Sequence, residues 1–169
     1  MKSFFLCYFF LAIPYGLHAQ YTGIQKGTVG FSFVAKDVSG TLSNFSSTSV
    51  IDWNNLENSV IEGQVASETI RTGNFLRDFS LRRATYFDVD NYPIITFKST
   101  KIETEAENIN VYGILSLKGI SKPITILFHK KGDTLTGTTT LFTSDFDITI
   151  LKKGRESNKV TVSIVLQLK

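Results

Sequence analysis

From Thr28 onward, apolar and polar side chains trade places at every second position, in short runs broken by glycine, proline and acid-rich turns. Successive side chains of a β-strand point to opposite faces, so a period of two sorts one face to a core and the other to water. Thr28–Ala35 sets Val29, Phe31 and Phe33 on one side; Val38–Phe45 is weaker, interrupted by Gly40 and Ser43; Ser59–Thr69 aligns Ile61, Gly63 and Val65. Further on, Ile94–Ile102 puts Ile95 and Phe97 in phase, and the run from Ile109 to Leu117 aligns Ile109, Val111, Gly113, Leu115 and Leu117. Pro123–His129 aligns Ile124, Ile126 and Phe128, Thr134–Phe142 and Phe146–Leu151 follow, and Lys159–Leu168 alternates strictly through Val160, Val162, Ile164, Leu166 and Leu168.

This pattern predicts about eight to ten strands joined by short turns. An acidic turn is expected at Glu103–Asn108, a tight connection at Lys118–Pro123 and another turn at Gly132-Asp133. Turns this short enforce antiparallel pairing, because parallel strands need long crossovers. A sheet of that size splits into a sandwich or closes on itself, and closure removes its exposed edges. The expected fold is all-β, a single antiparallel barrel. Residues 46–58, rich in Ser, Thr and Asn around Trp53, read as a strand edge and a loop.

One stretch departs from the alternation. In Asn74–Ala84, Phe75, Phe79 and Ala84 fall at spacings near four and five, flanked by Leu76 and Leu81, which suits a short helix across a barrel mouth. Thr72-Gly73-Asn74 supplies the turn before it and a side-chain oxygen for its first N–H groups. Asp90-Asn91-Tyr92-Pro93 returns the chain to a strand.

Residues 1–19 read as a cleaved export signal: Lys2, an apolar run from Phe4 to Ile13, then Pro14, Gly16 and a small residue at Ala19. That run is shorter than the roughly 20 apolar residues of a membrane span. The remainder, 20–169, is one domain of ordinary size. The only cysteine, Cys7, leaves with the signal, so neither a disulfide nor a thiolate site is expected and a hydrophobic core must hold the fold. Taking Lys2 from the 18 basic residues leaves 17 against 15 acidic ones, with no long basic run, which argues against nucleic-acid binding.

Arg77 and Asp78 are adjacent and so lie on different faces of a helix. They admit a structural reading, in which Asp78 accepts hydrogen bonds and Arg77 closes the barrel end. They also admit a binding reading, in which Arg77, with Arg71, Arg82 or Arg83, meets an anionic head group. Ten phenylalanines remain after the signal; they either fill a core or line a cavity, since an eight-stranded barrel accommodates both. Gly63, Gly113 and Gly137 recur on the apolar phase and point to unfilled volume. Catalytic patterns are thin. His129 lies on the polar phase beside Lys130 and Lys131, no serine sits in a nucleophile turn, and the Asp145/Asp147 pair would project together from a strand end as solvated carboxylates. No metal or other cofactor is expected.

Thr69-Ile70-Arg71-Thr72-Gly73-Asn74, Arg77-Asp78, Phe87-Asp88, Tyr92-Pro93 and Thr96-Phe97-Lys98-Ser99, together with the Val111–Pro123 strand-turn-strand and Thr143-Ser144-Asp145-Phe146, resemble in order the motifs of the YceI-like family. That resemblance implies an extended, lipocalin-like, eight-stranded barrel with a short helical insertion, whose interior holds a long isoprenoid or fatty chain. It further implies a periplasmic or secreted lipid-binding protein rather than an enzyme, with Arg77 and Asp78 carried over directly. The chain departs from the family pattern at Ser80, Arg83 and Thr143.

The expected ligand site therefore comprises Phe31, Phe33, Val65, Phe97, Leu115, Ile126 and Ile164 around the cavity, with Arg71, Arg77, Asp78 and Arg82 at one mouth. The expected partner is a long apolar small molecule, an isoprenoid, quinone or fatty acid, without nucleic acid and without stable membrane insertion; a homodimer stays open. The alternative is a filled barrel acting through its surface as an interaction or stress-related protein.

Overall fold

The computed structural model describes residues 21–169, so the export signal read at 1–19 lies outside the described residues. Strands β1 (Tyr21–Thr22), β2 (Ile24–Phe33), β3 (Val38–Leu42), β4 (Ile51–Asp52) and β5 (Glu62–Ala66) lead to helix α1 (Phe75–Arg82). Strands β6 (Ile94–Glu105), β7 (Asn108–Leu117), β8 (Ile120–Lys131), β9 (Thr134–Phe142) and β10 (Lys159–Leu168) complete the chain. Eight of these form one antiparallel sheet in the order β3-β2-β10-β9-β8-β7-β6-β5. Its two edges meet along a seam of backbone hydrogen bonds: Thr41 and Arg71 exchange a pair at 2.8 and 3.0 Å, and Ser46 and Gln64 another at 3.0 and 2.9 Å. The curled sheet is thereby an eight-stranded antiparallel barrel with one short helix.

Alternation places the side chains as the pattern predicts. Along β7, Ile109, Val111, Gly113, Leu115 and Leu117 are all buried, and the residues between them are not. The β7–β8 turn is only Lys118-Gly119, with φ of 50° and 73°. Positive φ at both positions matches the right-handed twist of the flanking strands, and glycine adopts it without steric cost.

Three boundaries differ from expectation. β6 runs through Glu103–Glu105, so most of the predicted acidic turn is strand. Pro123 lies inside β8, opposite Ile114, rather than ending a connection. β8 pairs with β9 only over Leu127–Lys131, so Pro123 has a neighbouring strand on one side alone, where a strand tolerates a missing N–H. Phe146–Leu151 is not a strand: Thr143–Phe146 is a 3-10 turn, and Asn158, 1% exposed, organises the loop beyond it. The Asn158 Oδ1 accepts from the N–H groups of Ile150 (2.8 Å) and Leu151 (2.9 Å), while its Nδ2 donates to the carbonyls of Leu151 and Gly154.

The expected vacancy at glycines is also corrected. A Cβ on Gly137 would lie 2.4 Å from the Phe128 ring, one on Gly113 2.4 Å from Phe97, one on Gly40 2.4 Å from Phe31, and one on Gly63 2.8 Å from Phe45. Phe128–Gly137 and Phe31–Gly40 are directly opposed cross-strand pairs. Each ring covers the bare backbone of its glycine.

Packing divides the interior in two. At the end where β1 pairs with β4, Ile24, Ile51, Ile61, Ile102, Ile109, Val111, Phe128, Leu135 and Leu168 form a continuous core, with Trp53 against it and Lys130 over its indole. At the other end, Val65, Ile95, Leu115, Leu117, Phe146 and Ile148 pack beneath Tyr86 and Phe87 of the segment that follows α1.

Candidate ligand cavity

Between these clusters the barrel encloses a cavity of about 490 Å³, within the range of small-molecule sites. Phe31, Phe33, Val65, Phe97, Leu115, Ile126 and Ile164 all border it, because each occupies the inward phase of its strand. Lys36, Phe45, Leu81, Tyr86 and Phe87 border it as well. Of these, Phe87 carried a sequence signal, in the Phe87-Asp88 motif of the family resemblance. Lys36 carried none, since it reaches the cavity only because the β2–β3 hairpin folds over the same barrel end as α1.

The four polar residues expected at the mouth separate. Arg77 borders the cavity; Arg71, Asp78 and Arg82 do not. The side chain of Arg71 is exposed and its backbone forms the seam. Arg82 donates from Nε to the Glu68 carbonyl at 2.7 Å and from Nη2 to the Ile70 carbonyl at 2.9 Å. Asp78 is buried, and its Oδ1 accepts from the Thr72 N–H at 2.8 Å and the Thr72 hydroxyl at 2.5 Å. The same hydroxyl oxygen accepts from Arg77 Nε at 2.7 Å, and Arg77 Nη2 donates to the Thr72 carbonyl at 3.2 Å. Arg77 and Asp78 are thus linked through Thr72, which ties α1 to the seam. Burial pushes the Asp78 carboxyl up, but the two Thr72 hydrogen bonds and the nearby Arg82 and Arg77 outweigh it and hold the group below its ordinary value.

Three other carboxylates near the cavity or singled out by the sequence have cationic partners. Glu62, on the cavity wall, accepts from the Thr48 hydroxyl and pairs with Lys98 at 3.0 Å, and these contacts lower its carboxyl. Asp145 and Asp147 do not project together, because the 3-10 turn and the left-handed Asp147 split them. Asp145 binds Arg155 in a bidentate pair at 2.8 and 2.7 Å, and Asp147 meets Lys118 at 3.3 Å. The Arg155 guanidinium lies 3.5 Å from the Phe142 ring centre, so it is stacked as well as paired.

The lining offers an apolar volume with few polar groups: Lys36, Thr72, Arg77 and Ser80 at the α1 end, and Glu62, Gln64, Thr96, Thr139 and Thr143 along the wall. Lys36 and Ser80 are exposed as well as lining, which places an opening between the β2–β3 hairpin and α1. Such a volume suits a long hydrocarbon with one polar end.

Comparison with known proteins places this architecture. The chain is 30% identical over 111 residues to the protein YceI of Salmonella arizonae and to that of Salmonella paratyphi B; the match covers 66% of this chain and 56% of those relatives' length. Among solved structures, BcnA of Burkholderia cenocepacia aligns with a TM-score of 0.75 at 19% identity, covering 86% of this chain and 99% of BcnA. The YCEI protein of Campylobacter jejuni aligns at 0.66 and 19% identity over 100% and 98%. A polyisoprenoid binding domain from Saccharophagus degradans aligns at 0.60 and 13% identity over 88% and 97%. The model of the YceI-like domain matches residues 22–168, nearly all of what the structure describes, and the chain belongs to the YceI-like family.

Proposed function

We propose that this protein is exported to the periplasm or beyond the cell and sequesters or carries one long apolar molecule, an isoprenoid, a quinone or a fatty acyl chain, in its barrel. The observation that carries this reading is the cavity of about 490 Å³ bordered by Phe31, Phe33, Val65, Phe97, Leu115, Ile126 and Ile164. Burying a hydrocarbon there gains roughly 25 cal/mol per Å² removed from water, so affinity needs few polar contacts and selectivity for the chain is loose. The head group sits at the opening beside Lys36 and Arg77. The polyisoprenoid binding domain among the structural relatives is in keeping with this ligand class, and the export signal read at 1–19 with the compartment. The reading is of a binding protein, not an enzyme.

The test is native mass spectrometry of the mature protein taken from its own host, with organic extraction of whatever travels with it. A discrete added mass that extracts as a lipid is the expected result. If the protein arrives bare, isoprenoid quinones and fatty acids are added, and failure to bind any of them removes the carrier reading. Leu115→Trp separates a cavity from a filled barrel: in a cavity the variant folds and loses ligand, whereas in a filled barrel it fails to fold.

A further inference from the structure

Helix α1 has two apolar faces, and the barrel uses one. At about 100° per residue, Arg77 and Leu81 turn toward the cavity, while Phe75, Phe79 and Leu76 share an arc on the opposite side and are 78%, 51% and 73% exposed. Three large apolar side chains on an eight-residue helix form a patch rather than the scattered exposure normal for a surface. Val34, in the β2–β3 hairpin at the same barrel end, is also exposed.

Charge identifies the occupant. Segment 70–84 holds Arg71, Arg77, Arg82 and Arg83 and a single acid, Asp78, whose carboxylate is buried against Thr72. Every charge this segment presents to water is positive. Glu68 and Asp88 flank it in the chain, and Asp88 accepts from the Asn91 side chain. The Arg83 guanidinium lies 5.4 Å from the Phe79 ring centre, so a cation stands beside the apolar patch. An apolar face with an arginine beside it, on a segment whose exposed charge is all positive, is the arrangement that seats in the interface of an anionic bilayer, rings among the upper acyl chains and guanidiniums on phosphates. A second copy of this chain fits poorly, since a two-fold contact on this face would set the arginines of one protomer against those of its partner.

We propose that α1 is a membrane-docking element, which seats Phe75, Leu76 and Phe79 in the interface of a bilayer carrying anionic lipid, with Arg71 and Arg83 at the phosphates. Docking on this face turns the opening between α1 and the β2–β3 hairpin toward the membrane. The contact is peripheral and reversible, as insertion of three side chains allows. It stands whatever molecule the cavity holds.

The test is co-sedimentation of the mature protein with equimolar phosphatidylcholine/phosphatidylglycerol vesicles and with pure phosphatidylcholine vesicles. The expected result is binding to the anionic vesicles that weakens with added salt. The double variant Phe75→Ser/Phe79→Ser lowers the partition coefficient at least about tenfold, and Arg71→Gln/Arg83→Gln lowers it at low salt by a smaller factor. Unchanged circular dichroism and thermal midpoint check that both variants fold. Failure of the wild type to bind anionic vesicles, or binding by Phe75→Ser/Phe79→Ser equal to wild type, overturns the proposal. So does a dimer, seen by analytical ultracentrifugation, that the same variant dissolves.

Discussion

Asp78 shows how one residue serves the fold while lying in the motif that marks the family. Its carboxylate accepts both the N–H and the hydroxyl of Thr72, and Thr72 in turn holds Arg77. Because its folded value lies below the ordinary carboxylate value of about 3.9, Asp78 adds stability that is present above that value and lost as pH falls through the folded one. Asp78→Asn therefore lowers the urea midpoint at neutral pH, by about 1–3 kcal/mol in stability, and the gap from wild type narrows as pH falls below the ordinary carboxylate value and through the folded one. Equal gaps at neutral and acid pH would show that the loss is steric. The glycines under phenylalanine rings make a second case. A valine at position 137 drives into the Phe128 ring, itself 1% exposed, and Gly137→Val costs about 1–3 kcal/mol of overpacking, measurable as a lowered thermal midpoint.

Among elements, α1 is the least self-sufficient, since eight residues are too few to hold a helix in water without help. Asn74 caps it, with Oδ1 accepting from the Arg77 N–H at 3.0 Å, and the Thr72 links hold it to the seam. Asn74→Ala is expected to cost about 1 kcal/mol and to raise amide exchange at Arg77 more than in any barrel strand. The loop closed by Asn158 has the same logic with the partners reversed: one side chain satisfies the backbone that a strand would have satisfied. Asn158→Ala strands the N–H groups of Ile150 and Leu151 and is expected to cost about 3 kcal/mol. Denaturation followed by exchange at those two amides checks it. The cap was legible, because Asn74 stands just ahead of a non-alternating apolar run. The Asn158 loop was not, because Phe146–Leu151 alternates locally and nothing nearby shows that a distant amide will take its backbone bonds.

For the whole molecule, the balance between core and cavity decides what the barrel can do. Branched aliphatics and Phe128 fill the end closed by β1 and β4, whereas about 490 Å³ stays open between that core and the half beneath α1. Lys36 at the opening gives this half a preference by charge. Lys36→Gln is expected to weaken binding of a fatty acid by about three- to tenfold while leaving a neutral isoprenoid quinone unchanged, as read by fluorescence displacement. Loss of both ligands would instead mean that the hairpin itself has shifted.

The strands, their inward faces and the helix cap were written in local order, because side-chain alternation and capping depend on neighbours one to four residues away. The seven apolar residues around the cavity followed from phase alone. Tertiary structure alone decided that the sheet closes through Thr41–Arg71 and Ser46–Gln64, that the glycines are covered by rings, and that Arg71, Asp78 and Arg82 serve the frame while Lys36 reaches the opening. It also decided which face of α1 meets water, leaving Phe75 and Phe79 outside and Leu81 inside. Interior volume is the sum of side chains arriving from every strand at once, and no window of sequence contains that sum.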